Sequence, residues 1–239
     1  MRKGRWEEMM QFFNRMFNIN QGVQGGSLQQ EAWKRSILKE ASERSLLSQP
    51  LEKVNYVVVD TETTGFRPDL GNEIISLGAV HVEDGLGQRS FSSLVKPTQP
   101  IPSHITDLTG ISMKDVKKAP TLKEILPSFI QFVGSRVIVG YHLGHDLTFL
   151  NYYLWRTKFS RITNRTIELR RVISSLYPEL IDLIELDDIL NHFQIPISKR
   201  HTALGDARMT AALWSILLNQ CKKQGIITFQ DLYEQLALS

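Results

Sequence analysis

The sequence predicts an α/β fold: a mixed sheet with helices on both faces. Three observations carry that expectation. Tyr56, Val57, Val58 and Val59 form a β-branched and aromatic run of the kind found in a buried strand. Two more strand signals follow it closely, separated by Asp84 and Gly85, a pair suited to a tight hairpin turn. Beyond them the pattern alternates between helical spacing and short apolar runs. Hairpin-linked strands followed by helix–strand alternation imply a mixed sheet covered on both sides.

Taken in order, residues 1–53 differ from the rest. Trp6, Met9, Met10, Phe13, Met16 and Phe17 recur at helical spacing with charges between them. Gly22, Gly25 and Gly26 interrupt this pattern, and a second helical stretch carries Trp33, Ile37 and Ala41 on one face. The segment is read as a helical extension that packs on the main domain, docks a partner or steers nucleic acid. Strands are expected at residues 56–59, 73–82, 91–95 and 136–141. Helices are expected at 121–133, 146–155, 186–193 and 203–221, each from the spacing of its apolar residues. The domain expected at 54–221 is then followed by a helical tail at 222–239.

Composition narrows the function. Hydrophobic residues make up 42% of the 239 and charged residues 22%, which supports a full core. The net charge of +3 permits a nucleic-acid partner without demanding one. That surplus equals the surplus of residues 1–53, so the remainder is neutral. Cys221 is the single cysteine, which excludes an internal disulfide and a cysteine-based zinc site and fits a reducing, cytoplasmic setting. Glu7, Glu8, Gln11 and Arg15 interrupt the N-terminus, so no signal peptide is read there. No apolar run approaches the roughly 20 residues of a membrane span.

Three segments carry candidate chemistry. Asp60-Thr61-Glu62 closes the first strand. Residues i and i+2 of a strand share a face, so the two carboxylates project together while Thr61 turns away. Such like charges call for a cation, and oxygen-only ligands suit Mg²⁺ or Mn²⁺. Asp146 follows the fourth strand at the start of a helix, where an acid also stabilises the helix dipole. His201 and Asp206 are five residues apart, which on one helix would rotate them about 140° from each other. His201 is therefore placed in the loop before the helix and Asp206 in its first turns, both facing one crevice. A histidine is the natural acceptor of a proton from water. Arg156, Lys158, Arg161, Arg165, Arg170 and Arg171 form a basic run, read as a solvated helix face with phosphate contact as the alternative.

Together these segments resemble the DnaQ-like, DEDDh family of 3′–5′ exonucleases. The first motif is VVVDTETTGF at 57–66, with IISLGAV at 74–80; the second is VGYHLGHDLTFL at 139–150; the third is HTALGDARMTA at 201–211. Ile101-Pro102, Leu108-Thr109-Gly110-Ile111 and Ala119-Pro120 follow the family pattern between them, and the resemblance spans residues 54–218.

The resemblance implies an RNase H-like, three-layer fold with a five-stranded mixed sheet. It implies that Asp60, Glu62, Asp146 and Asp206 hold two divalent ions, Mg²⁺ or Mn²⁺, and that His201 is the general base. Thr63, Thr64, Gly65, Phe66 and His142 would meet the terminal nucleotide. The implied substrate is a single strand or 3′ end, DNA before RNA, with a polymerase or another protein reached through residues 1–53. The alternatives are an RNA-trimming enzyme of the same family and a non-catalytic binding subunit. Three positions depart from the pattern. His142 stands where the family commonly has Asn, His145 where it has Phe, and Arg165-Thr166 where it often has Asp-Thr. The first two bear on the fit of the 3′ end, the third on a structural hydrogen bond.

Overall fold

Five strands form one sheet: β1 (Tyr56–Thr63), β2 (Ile74–Glu83), β3 (Leu86–Leu94), β4 (Val137–Gly140) and β5 (Thr166–Glu168). Their order is β3-β2-β1-β4-β5. β1 pairs antiparallel with β2 and parallel with β4; β2–β3 is antiparallel and β4–β5 parallel. The computed structural model describes residue 32 and residues 45–83, 86–157 and 161–238. The expected Asp84-Gly85 turn and the amphipathic stretches around Trp6 and Trp33 lie outside them. The sheet belongs to a compact unit spanning Leu46–Ser239.

The alternation of β1 decides which layer meets which face. Val57 and Val59 pack with Leu77, Ala79 and Ile138 against α3 (Leu122–Val133) and α4 (Leu143–Arg156). Tyr56 and Val58 pack with Val80 and Val139 against α5 (Leu169–Leu176), α6 (Leu186–His192) and α7 (Ala203–Lys223). Both faces are apolar because both are covered. Tyr56 shows the second core closely: its ring meets Trp214 edge-on at 5.1 Å, and its hydroxyl donates to Leu51 O at 2.8 Å. This is the three-layer, RNase H-like arrangement that the motifs imply.

Several boundaries differ from the expected ones. β3 begins at Leu86, well before Phe91. Its sequence LGQRSFSSL has no β-branched residue, and it is extended by pairing with β2 rather than by propensity. α4 begins at Leu143, a turn before the expected start at 146. The short helices α1 (Ser103–Thr109) and α2 (Met113–Val116) were not anticipated, and neither was α5. Leu169, Val172, Ile173 and Leu176 of α5 have helical spacing and are buried, a stripe obscured by the arginines around it.

The basic run is not one helix face. Arg156 ends α4, Arg161 lies in a loop, and Arg165 stands before β5 with its guanidinium 5.6 Å from the Tyr233 ring centre. Arg170 and Arg171 open α5, and Arg171 donates to Leu236 O at 2.8 Å. A strand interrupts the run because Thr166–Glu168 completes the sheet beside β4.

The last helix, α8 (Phe229–Leu238), is tied to the segment before β1. Leu51 N donates to Ile227 O at 2.8 Å and Phe229 N to Gln49 O at 3.0 Å. Among the described residues no helix is long and apolar enough to cross a membrane.

Candidate active site

The site is assembled where β1 ends and where α4 and α7 begin. Asp60 and Glu62 follow the parity of Tyr56 and Val58, toward the α7 side; Thr61 follows Val57 and Val59, toward α4. Asp60 pairs across the sheet with Gly78. A Cβ on Gly78 would lie 2.2 Å from the backbone of Ala203, so this position must be glycine for the first residue of α7 to rest on β2. Gly205 allows a second close approach, since a Cβ there would lie 2.1 Å from Lys199 O. Gly78 thus brings the start of α7 beside Asp60, and Gly205 lets the loop at Lys199–Thr202 fold back on the first turn of the helix.

As expected, His201 precedes α7 and Asp206 stands in its first turn. His201 has a left-handed backbone (φ 56°), and its amide donates to Asp206 Oδ2 at 3.2 Å. The expected base and the expected ligand are thus tied to each other. Asp60, Glu62 and Asp206 each offer a carboxylate oxygen, and these oxygens lie within 4.8 Å of one another.

Asp146 is not part of that close set. It is buried and comes from α4, on the opposite side of β1. Thr61 does not simply turn away, as its alternation suggested. Its hydroxyl donates to Asp146 Oδ1 at 2.7 Å, so the residue between the two strand carboxylates holds the third. Glu168, at the end of β5, fixes the helix that carries Asp146. Its carboxylate accepts from His142 N at 3.0 Å, Leu143 N at 2.8 Å and Arg170 N at 3.2 Å. An acid in this place satisfies otherwise orphaned helix amides and suits the positive end of α4. Glu168 was not singled out in the sequence; its signal was an acid directly before the α5 stripe.

The segment expected to meet substrate forms a braced turn. Thr63 Oγ1 donates to Gly65 O at 2.7 Å and lies 3.1 Å from His145 Nε2. Thr64 Oγ1 accepts from Glu73 N at 2.9 Å. Phe66 is 84% exposed, and its ring meets His145 edge-on at 5.7 Å. His145 also packs on Phe149 at 4.9 Å, so this departure from the family pattern is accommodated as an aromatic contact. Burial and the neighbouring His142 hold the His145 pKa below its ordinary value. His142 is exposed, with a left-handed backbone at the N-terminus of α4.

Electrostatically the carboxylates crowd one another. Loss of solvent raises the Asp60 pKa well above the carboxylate range, and the charges of Asp146, Glu62 and Asp206 raise it further. Glu62 is pushed up to about 8, by burial first and then by Asp206. Burial pushes Asp146 up to about 7 against the pull of Thr61, and it raises Asp206 against the pull of Arg200. Among the described residues, Asp206 Oδ1 is buried with no hydrogen-bond partner. An orphaned buried oxygen among three converging carboxylates fits a hard divalent cation, which would satisfy the oxygen and offset the repulsion.

With this geometry in place, comparisons with known proteins are informative. The RNase_T family model, described as exonuclease, matches residues 57–214. The DNA polymerase III subunit epsilon of Aquifex aeolicus is 34% identical over 165 residues, covering 69% of this chain and 81% of that protein. A PolC-type DNA polymerase III of Clostridium perfringens is also 34% identical over 169 residues, but the match covers 71% of this chain and only 12% of that protein. Among solved structures, the fold matches that of exonuclease X in complex with 5′-overhanging duplex DNA (TM-score 0.59, 20% identity, 76% of this chain and 99% of that one). It also matches the nuclease domain of 3′hExo, a DEDDh family member bound to rAMP (TM-score 0.62, 20% identity, 69% and 92%). The chain belongs to the exonuclease family, with the epsilon subunit of DNA polymerase III among its relatives.

Proposed function

We propose that the protein removes nucleotides from DNA 3′ ends as nucleoside 5′-monophosphates, in a cytoplasmic proofreading or repair role. The observation that carries this reading is the convergence of Asp60, Glu62 and Asp206 at the end of β1, with the unpartnered Asp206 oxygen among them. Asp60, Glu62, Asp146 and Asp206 would hold two divalent ions, Mg²⁺ or Mn²⁺. Such ions, when bound, supply charge stabilisation to the attacking and leaving oxygens of a phosphodiester.

The chain's own residues account for the rest. The His201 imidazole takes the proton from the attacking water, and its backbone bond to Asp206 keeps it beside the carboxylates. The turn at 63–66 receives the terminal nucleotide. The hydroxyls of Thr63 and Thr64 are engaged in bracing the turn, so the exposed Phe66 ring is the surface left for a base or sugar. His142, exposed at the start of α4, faces the phosphate or sugar of the same nucleotide. Of residues 1–53, the part before Leu46 would dock a polymerase or another nucleic-acid enzyme, since Leu51 is committed to the core of the domain. The epsilon-subunit relative supports DNA as substrate and a polymerase as partner.

A competition assay tests the choice of substrate. DNA and RNA oligonucleotides of one sequence are mixed at equal concentration and the released mononucleotides identified by mass spectrometry. Preferential release of deoxynucleoside 5′-monophosphates is expected. Faster release of ribonucleotides would turn the reading to RNA trimming.

A further inference from the structure

Arg200 stands directly before His201, and its guanidinium bridges two acids. Its Nη1 donates to Asp206 Oδ2 and its Nε to Asp187 Oδ1, Asp187 being in the first turn of α6. Nothing in the resemblance assigns either Arg200 or Asp187 a part. Among the described residues, Asp206 Oδ2 receives two donors, the Arg200 guanidinium and the His201 amide, while Oδ1 receives none. A carboxylate with one oxygen held and one free has a fixed direction. Asp206 also offers an oxygen to the cluster with Asp60 and Glu62.

We propose that Arg200, anchored by Asp187, is a positioning residue for the cation site. It clamps Asp206 Oδ2 and leaves Oδ1 as the oxygen presented to a divalent ion. This rests on the metal-dependent reading above. A guanidinium next to a cation site would by itself oppose the ion. Here the Asp187 carboxylate offsets that charge, so the pair supplies direction at little electrostatic cost. The planar fork is what allows one side chain to hold acids from two helices, which a lysine does not reproduce.

The test is Mn²⁺ binding to the full-length protein, followed by electron paramagnetic resonance without substrate, for wild type, Arg200→Ala, Arg200→Lys and Asp187→Asn. Loss of a hydrogen-bonding partner behind a metal ligand typically weakens metal affinity about 10–100-fold. Arg200→Ala is expected in that range, with Arg200→Lys only partly restored. Asp187→Asn, which leaves the guanidinium in place but loosens its anchor and exposes its charge, is expected to weaken binding as well. Thermal melting without metal identifies a variant that fails to fold; if Arg200→Ala does, Asp187→Asn decides. Unchanged or tighter Mn²⁺ binding in a folded Arg200→Ala or Asp187→Asn would overturn the clamp. Absence of Mn²⁺ binding in wild type would overturn the metal reading itself, a separate result.

Discussion

Thr61 and His201 show how single residues fix the chemistry. The Thr61 hydroxyl is the side-chain donor to Asp146, a carboxyl already pushed up to about 7 by burial. Thr61→Val keeps the shape and removes the donor. Turnover at neutral pH should fall about 10–100-fold, as for other losses of a group supporting a ligand, with the fold intact; wild-type steady-state rates would mean that Asp146 needs no such support. For His201→Ala the expected loss is about 10²–10⁴-fold, the range for a general base, with Mn²⁺ affinity much less affected. A fully active variant would move the proton acceptor to another group, His145 being the nearest imidazole to the turn at Thr63. The motifs that hold the acids and the histidine were readable in the sequence because together they follow one family's order and spacing. Thr61, Glu168 and Arg200 were not, because a hydroxyl, an acid before a helix and an arginine in a loop are common until their partners are known.

At the scale of elements, the site depends on how closely α7 rests on β2. The Gly78 position leaves no room for a side chain, and the atoms it would meet belong to the Ala203 backbone. Gly78→Ala must therefore displace the start of α7, and His201 and Asp206 with it. A stability loss of about 1–3 kcal/mol is expected from such overpacking, with a larger proportional loss of activity. Denaturant melts and initial rates on the same preparation check this; full activity would mean that α7 tolerates the shift. The long helices and the strands β1, β2 and β4 were legible from periodicity. β5, α1, α2 and α5 were not, because the three residues of β5, the single turn of α2 and the two turns of α1 carry too little pattern, and the α5 stripe lies among arginines.

At the scale of the whole molecule, folding brings four acids together, and this makes stability depend on pH. Glu62 rises to about 8 and Asp146 to about 7, and Asp60 is raised as well. The native protein thus holds these protons more tightly than the unfolded chain, where carboxyls titrate near about 4. Their contribution is fully present below about pH 4 and is lost as the pH rises toward 7–8. In the metal-free protein, melting temperature should therefore fall between about pH 5 and pH 8. Added Mg²⁺ or Mn²⁺ should restore it at pH 8 and do little at pH 5, because metal binding requires the deprotonated ligands. A flat profile without response to metal at pH 8 would mean that the acids are not coupled as their geometry indicates.

The most direct test of the central claim is a time course on a 5′-labelled DNA oligonucleotide, resolved by length, with Mg²⁺, Mn²⁺ or EDTA and with Asp60→Ala beside wild type. A ladder that shortens from the 3′ end one nucleotide at a time is expected, only with divalent metal and only with Asp60 in place. Cleavage that persists in EDTA or in purified Asp60→Ala, or intact oligonucleotide under every condition, would contradict it.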